Sequence, residues 1–298
     1  MIHDFSSLIE ESKKRQRHII AVAAAEDEAV LTAIQNAVKE NIIEPIFVGN
    51  KSKIEEYSKK LNFDISKFTI ISENDPLISA QIAVKLVKEN KAGLLMKGFV
   101  STAGLLKAIL DKEKGIKKNS VMSHVALFET QYYHKMLGIT DAAMNISPTL
   151  EEKVNLISNA TEVLHKLGCE FPKIAVICPL ETVNNKIEST QHAALLTIMS
   201  KRGQIKGCIV DGPLALDNAV SKDAAIHKGI VSEVAGDADI LLVNDLDTGN
   251  VLYKSLLFLG GAKVAAVIVG ASVPVVLTSR ADTEESKLYS IALATLLT

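Results

Sequence analysis

Short β-branched runs alternate with longer amphipathic segments along the whole chain. The run from His18 to Ala25, His-Ile-Ile-Ala-Val-Ala-Ala-Ala, predicts a strand. The Glu26-Asp27-Glu28 that follows suits the first turn of a helix, where acidic residues complement the dipole. Apolar residues at Val30, Ala33, Ile34, Ala37 and Val38 then keep a helical period as far as Glu40. Further strands are expected over 45–49, 68–71 and 92–96. Asp75-Pro76 pairs a capping residue with a proline at the first helical position, ahead of a helix carrying Ile78, Ile82, Val84, Leu86 and Val87. The second half repeats the theme with apolar strands over 173–178, 207–211, 238–243, 265–269 and 273–277, and helices over 189–200 and 284–297. Continuous rather than alternating apolar strands indicate a sheet covered on both faces. Strands alternating with helices indicate βαβ units with right-handed crossovers. The expected fold class is α/β, with a mainly parallel sheet flanked by helices. A boundary is expected near 140–150, where Thr149 and Glu152 have capping-box spacing.

Composition narrows the classes. The chain has 298 residues, 48% of them hydrophobic, which is too many for a disordered chain. A net charge of −2 lacks the basic excess of a dedicated nucleic-acid binder. Residues 1–17 contain no apolar core of a signal peptide. The longest apolar stretch, 264–277, is interrupted by Gly270, Ser272 and Pro274, so it predicts strand, turn and strand rather than a membrane span. The basic cluster over 13–17 is expected to be a solvated helix end. Cys169, Cys178 and Cys208 are odd in number and widely spaced, which favours reduced, buried thiols and a cytoplasmic location.

Ligands of parallel α/β sheets gather at the carboxyl ends of strands, so the residues after each strand carry the candidate chemistry. After 94–96 comes Lys97-Gly-Phe-Val-Ser-Thr-Ala-Gly104. Lys97, Ser101 and Thr102 bring donors to a strand end, and Lys107 lies one turn into the next helix. Together with helix N–H groups these make an anion site; capping by Ser101 and a solvated Lys107 is the plainer alternative. Neither GxxxxGK(S/T) nor a GxGxxG after a strand is present. Asp211-Gly-Pro-Leu-Ala-Leu-Asp217 ends a strand and starts a helix, as a ligand loop or as a turn and cap. Asn244-Asp-Leu-Asp-Thr-Gly-Asn-Val-Leu-Tyr-Lys254 is dense in Asp, Asn, Thr and Gly, but lacks the closing Glu of a calcium loop. In Thr278-Ser279-Arg280-Ala-Asp282-Thr-Glu284 a guanidinium beside a helix start can clamp phosphate bidentately, or stand exposed beside an N-cap. The seven histidines form no HxH or HExxH, and no metal-ligand cluster is found. His124 is expected to be a satisfied buried histidine. No GxSxG elbow anchors a hydrolase triad.

Four of these strings, taken in register, resemble the phosphate acetyl/butyryltransferase family over nearly the whole chain. They are Lys97-Gly-Phe-Val-Ser-Thr-Ala, Asp211-Gly-Pro-Leu-Ala-Leu-Asp217, Asp245-Leu-Asp-Thr-Gly-Asn-Val-Leu-Tyr-Lys254 and Pro274-Val-Val-Leu-Thr-Ser-Arg280. The tail from Ser279 to Leu293 is most similar to the butyryl branch. The resemblance implies reversible transfer of a short acyl group, butyryl favoured, between coenzyme A (CoA) and inorganic phosphate through a ternary complex. CoA and phosphate would be substrates, and no metal or bound cofactor would take part. It implies two domains with mainly parallel sheets and an active-site cleft between them. Residues 1–142 plus 275–298 would form the first, and 143–274 the second, inserted. It also implies a homodimer or higher homo-oligomer. By the same resemblance Ser279 and Arg280 hold the phosphoryl group and stabilise the charged transition state. Lys97, Ser101, Thr102, Lys107, Asp211, Gly212, Pro213, Asp247, Thr248, Gly249, Asn250 and Lys254 would bind phosphate and CoA.

The sequence departs from that pattern at three places. Lys107 stands where the acetyl branch tends to carry arginine; it keeps the charge and loses the bidentate fork. Asn244 stands where a proline is common. Ser286 stands seven positions after Ser279, where the acetyl branch places an aspartate as the thiol base. Asp282, Glu284 and Glu285 are nearby substitutes. A thiol of pKa about 8.5 also needs only modest help, which positive surroundings could give. An acetyl-specific enzyme and a catalytically silent phosphate- or nucleotide-binding module are the rival expectations.

Overall fold

The structure, a computed structural model, describes residues 2–278 and 282–298. In chain order its elements are α1 (Phe5–Lys13), β1 (His18–Ala23), α2 (Glu28–Lys39), β2 (Ile43–Gly49), α3 (Lys51–Lys60), β3 (Thr69–Ser72), α4 (Pro76–Lys88), β4 (Leu94–Lys97) and α5 (Thr102–Ile109). Next come β5 (Ser123–Glu129), β6 (Leu137–Thr140), α6 (Leu150–Lys166), β7 (Lys173–Ile177), α7 (Glu188–Lys201), β8 (Ile209–Leu214), α8 (Leu216–Val220), α9 (Lys222–His227), β9 (Ile240–Leu242) and α10 (Leu246–Phe258). The chain closes with β10 (Lys263–Val269), β11 (Val275–Val276) and α11 (Glu284–Leu296).

Local chemistry sets the helix starts. Asp27 accepts from Val30 N at the head of α2. Asp75 caps α4 with Pro76 at its first position. Thr149 and Glu152 form the full capping box of α6. Lys13 ends α1 and pairs with Glu10 and Glu40, so the basic cluster begins at a solvated helix end.

Two compact units follow. A split unit comprises Phe5–Ser120 and Ala265–Thr298; a middle unit comprises Val121–Val264 with the N-terminal residues, Ile2 N donating to Leu167 O. The joints differ from the expected 142/143 and 274/275. β6 pairs in parallel with β9, which carries β5 and β6 into the middle unit, and β11 pairs with both β4 and β10, which carries β10 into the split unit.

In the split unit the strand order is β3-β2-β1-β4-β11-β10, parallel except for β10 against β11. α1, α2 and α11 pack together, and α4 packs with α5. In the middle unit the order is β5-β6-β9-β7-β8, parallel except for β5 against β6. β4, β7, β9 and β10 are buried almost end to end, as their continuous apolar sequences require. No helix among the described residues is long and apolar enough to cross a membrane.

At the amino ends of β7 and β9 the middle unit carries a charge network. Lys173 and Lys135 reach the Asp237 carboxylate at 2.5 and 2.9 Å, Lys135 also reaches Asp239 at 2.6 Å, and His134 joins Asp237 at 2.8 Å. Burial opposes ionisation of Asp237, but hydrogen bonds from Lys173, Lys135 and His134 outweigh it and hold its carboxyl well below the usual range. A depressed folded pKa contributes stability above the unfolded value and loses it as the pH falls through the folded one. The stability gap between wild type and Asp237→Asn is therefore expected to be constant between about pH 5 and 8 and to shrink below about pH 4. Urea midpoints across that range check it; a gap that stays level to about pH 2 removes Asp237 from the acid response.

Candidate active site

Each sheet has a switch point, where the strand order reverses and a crevice opens at the carboxyl ends. In the split unit β1 leads outward to β2 and β3, and β4 returns on its other side, so the crevice lies between β1 and β4. Ala24, just past β1, takes the left-handed φ of +54°, and its carbonyl accepts from Phe99 N at 2.6 Å. Strained backbone of this kind collects at ligand sites. Gly98 is required there, because a Cβ would stand 2.1 Å from Ala24 O. Lys97 ends β4 buried, its Nζ donating to Gly98 O and Val100 O. Ser101 caps α5 by accepting from Gly104 N, and Thr102 opens that helix. Lys97, Ser101 and Thr102 therefore follow one strand end, with Ser101 in the capping role that the plainer alternative gave it. Lys107 lies apart from them in the last turn of α5. It is exposed and lines a groove of about 660 Å³ between α4 and α5, with Leu77, Ile78, Gln81, Lys85 and Lys114.

In the middle unit β7 leads outward to β8, and β9 returns on the other side of β7, so the crevice lies between β7 and β9. α10 starts there. Asp245 caps it by accepting from Thr248 N at 2.7 Å. Asp247 and Thr248 are exposed in its first turn, Gly249 is buried and Asn250 half-buried. A Cβ on Gly249 would meet Asp141 O at 2.3 Å, so the first turn of α10 rests directly on the backbone after β6. Lys254 is exposed on the same helix, one turn past Asn250. The Asp211 string differs from its expected place in a loop. β8 runs on through Asp211, Gly212 and Pro213 to Leu214, with a register shift against β7 that absorbs the turn-like residues. Gly212 sits against Val176 and Ala193 and its carbonyl accepts from Thr197 Oγ1, while Asp217 pairs with Lys228 at 3.1 Å.

Beneath α10 lies a carboxylate that sequence reasoning missed. Asp141 is 2% exposed and accepts from His124 N, Ala143 N, Met144 N and Asn145 Nδ2 at 3.1, 2.8, 2.9 and 2.6 Å. Its one sequence signal is its place directly after the buried run of β6. His124 is buried beside Tyr253, ring centroids 5.9 Å apart, but it is not the satisfied histidine expected. Its Nδ1 has no hydrogen-bond partner among the described residues, while its main chain donates to Asp141 and accepts from Thr140 Oγ1. Burial lowers the imidazole pKa, against a smaller upward pull from the Asp141 charge.

Ser279 and Arg280 lie outside the described residues. Asp282 is half-buried, and its main-chain carbonyl accepts from Lys287 Nζ. The cap of α11 is Thr283, not Asp282: Thr283 Oγ1 accepts from Ser286 N at 3.1 Å and donates to Ser286 Oγ. Ser286 is thereby buried in the cap, while Glu284 and Glu285 are exposed.

Both units are thus α/β folds with donor-rich residues at the carboxyl ends of their strands. The chain belongs to the phosphate acetyl/butaryl transferase family, whose pattern matches residues 4–77 and 74–295, and it is therefore an acyltransferase. Over 297 residues, 100% of this chain and 99% of the relative, it is 47% identical to the phosphate butyryltransferase of Clostridium acetobutylicum. It is 46% identical to the phosphate acetyltransferase of Thermotoga maritima over 92% of this chain and 93% of that one. Among solved structures, a branched-chain phosphotransacylase from Enterococcus faecalis V583 superposes with a TM-score of 0.83 at 36% identity, covering 94% of this chain and 98% of the other.

Proposed function

We propose that the chain is a phosphate butyryltransferase, moving a short acyl group between CoA and inorganic phosphate. The observation that carries this reading is the 47% identity to a butyryltransferase along the entire chain. In the forward direction the CoA thiol attacks the carbonyl carbon of the acyl phosphate, the carbon–oxygen bond to phosphate breaks, and thioester and phosphate leave. Ser279 and Arg280 hold the phosphoryl group, with donors from Lys97 and the first turn of α5. Phosphate is neutralised by these cations and N–H groups, without a divalent ion. The reading is tested by phosphate-dependent thioester loss with acetyl-, propionyl-, butyryl- and isobutyryl-CoA, run in excess chelator. Butyryl-CoA is expected to give the highest kcat/KM. A lead for acetyl-CoA would favour the acetyl reading that the Thermotoga maritima relative supports. No thioester loss with any of the four would leave a binding module.

The thiol base is assigned to Asp282, the carboxylate next to the Ser279–Arg280 pair that is not spent on the helix cap. Asp282→Asn is expected to slow thiol attack at neutral pH, with recovery as the pH nears the thiol pKa of about 8.5. Because Thr283 supplies the cap, the change leaves the start of α11 intact. A pH–rate profile that overlays wild type would pass the role to the positive surroundings.

The enzyme works as a homo-oligomer in the cytoplasm. α10 supports the first point: Gly249 is its one buried residue, and Val251, Phe258 and Leu259 are 65, 66 and 87% exposed. The three buried, unbridged cysteines suit a reducing compartment.

A further inference from the structure

We infer that Lys153, His192 and Asn244 form an anion subsite in the middle unit that takes a phosphoryl group. It rests on the reading above only for the natural source of that group. The subsite lies at the switch point between β7 and β9: Asn244 follows β9, His192 comes from α7, the helix after β7, and Lys153 reaches in from α6.

Lys153 is 3% exposed, and the two side chains in direct contact with its Nζ are neutral, while the charges of Glu188 and Asp245 act on it only from farther off. Nζ lies 3.2 Å from His192 Nδ1 and 3.2 Å from Asn244 Oδ1. The Asn244 amide is held in that orientation because its Nδ2 donates to Ile177 O. No carboxylate among the described residues stands within 4.0 Å of Nζ, and its third N–H has no acceptor there. Burial therefore lowers the Lys153 pKa, and an anion arriving at Nζ would favour the charged form again.

The ionisable neighbours place no counter-charge in contact with Nζ. Asp245 is turned away to cap α10, and Glu188 is 84% exposed. Burial pushes the Cys178 thiol up, which keeps it neutral at pH 7. Burial and the Lys153 charge lower the His192 pKa, against a smaller pull from Glu188, so the imidazole is neutral as well. The positive end of α7 adds to the demand, since its N-cap, Ile187, offers no side-chain acceptor to the first-turn N–H groups. A phosphoryl group brings several acceptor oxygens to such a cation and helix end at once. His192 keeps 17% of its side chain in solvent.

The test uses Lys153→Met, which keeps the length of the buried side chain and removes its charge. Inorganic phosphate and CoA are titrated separately, without turnover, into wild type and variant, and Kd is read from thermal shifts. A roughly ten- to hundredfold rise in Kd is expected for at least one of them, the scale of a lost charged hydrogen bond. A rise for CoA alone makes the occupant a phosphoryl group of CoA; a rise for inorganic phosphate makes it free or acyl phosphate. Asn244→Asp gives a second, independent arm: it supplies the carboxylate that the ammonium lacks, and should weaken the same ligand even if Lys153→Met fails to fold. Unchanged Kd values in the variants, or a wild type that binds neither ligand, would overturn the subsite. Absence of acyl transfer with anion binding intact would overturn the transferase reading alone.

Discussion

Arg280→Ala is expected to lower turnover by roughly a hundredfold or more while leaving the unfolding midpoint unchanged, the scale of one removed charge-stabilising donor. The residue stands in the family's motif after β11 and before α11, where a guanidinium can meet the phosphoryl group bidentately. Arg280→Lys separates charge from fork. It keeps the cation, loses the paired donors, and should recover only part of the rate. Steady-state kinetics in both directions read the effect. Turnover of Arg280→Ala within about threefold of wild type would contradict the role.

Asp141→Ala is expected to cost about 3 kcal/mol or more of stability. Its carboxylate accepts from three backbone N–H groups and one amide. Each donor left buried without a partner costs about 1–3 kcal/mol, though water entering the gap offsets part of the sum. Activity should fall with stability, because the first turn of α10 packs on Asp141 O through Gly249 and on Ala142 O through Asn250. Asp141→Asn keeps the volume and exchanges an acceptor for a donor, so its loss should be intermediate. Urea unfolding gives both values; a cost below about 1 kcal/mol for Asp141→Ala would show that the turn does not depend on the carboxylate.

The two variants mark the edge of what the chain reveals before it folds. β7 and β9 were legible because five- and three-residue apolar runs have no other home than a sheet covered on both faces. The starts of α4 and α6 were legible because Asp75-Pro76 and Thr149/Glu152 act within one turn. The strand-end donors Lys97, Ser101 and Thr102 followed from the same local logic. Asp141 escaped because β6 is only four residues long and the partners of its carboxylate come from β5 and from the turn that follows. Lys153 escaped for a related reason. In sequence it is one more charge after Glu151 and Glu152, and its partners lie 39 and 91 residues away. The Asp211 string misled because Gly-Pro signals a turn, whereas a register shift lets β8 carry it through. Polar groups whose meaning depends on distant partners are those that local pattern cannot place.

The division of the split unit has a consequence for how the protein is made. On the ribosome β4 emerges with β1 already on one side, but its other neighbour, β11, lies far downstream at Val275–Val276. At ordinary elongation rates that gap is on the order of ten to thirty seconds. During it the β4 edge offers unpaired N–H and C=O groups to any passing strand. α11, which packs with α1 and α2, arrives later still. The whole middle unit meanwhile leaves the tunnel with all five of its strands in hand. The middle unit therefore has every strand of its sheet available before the split unit does.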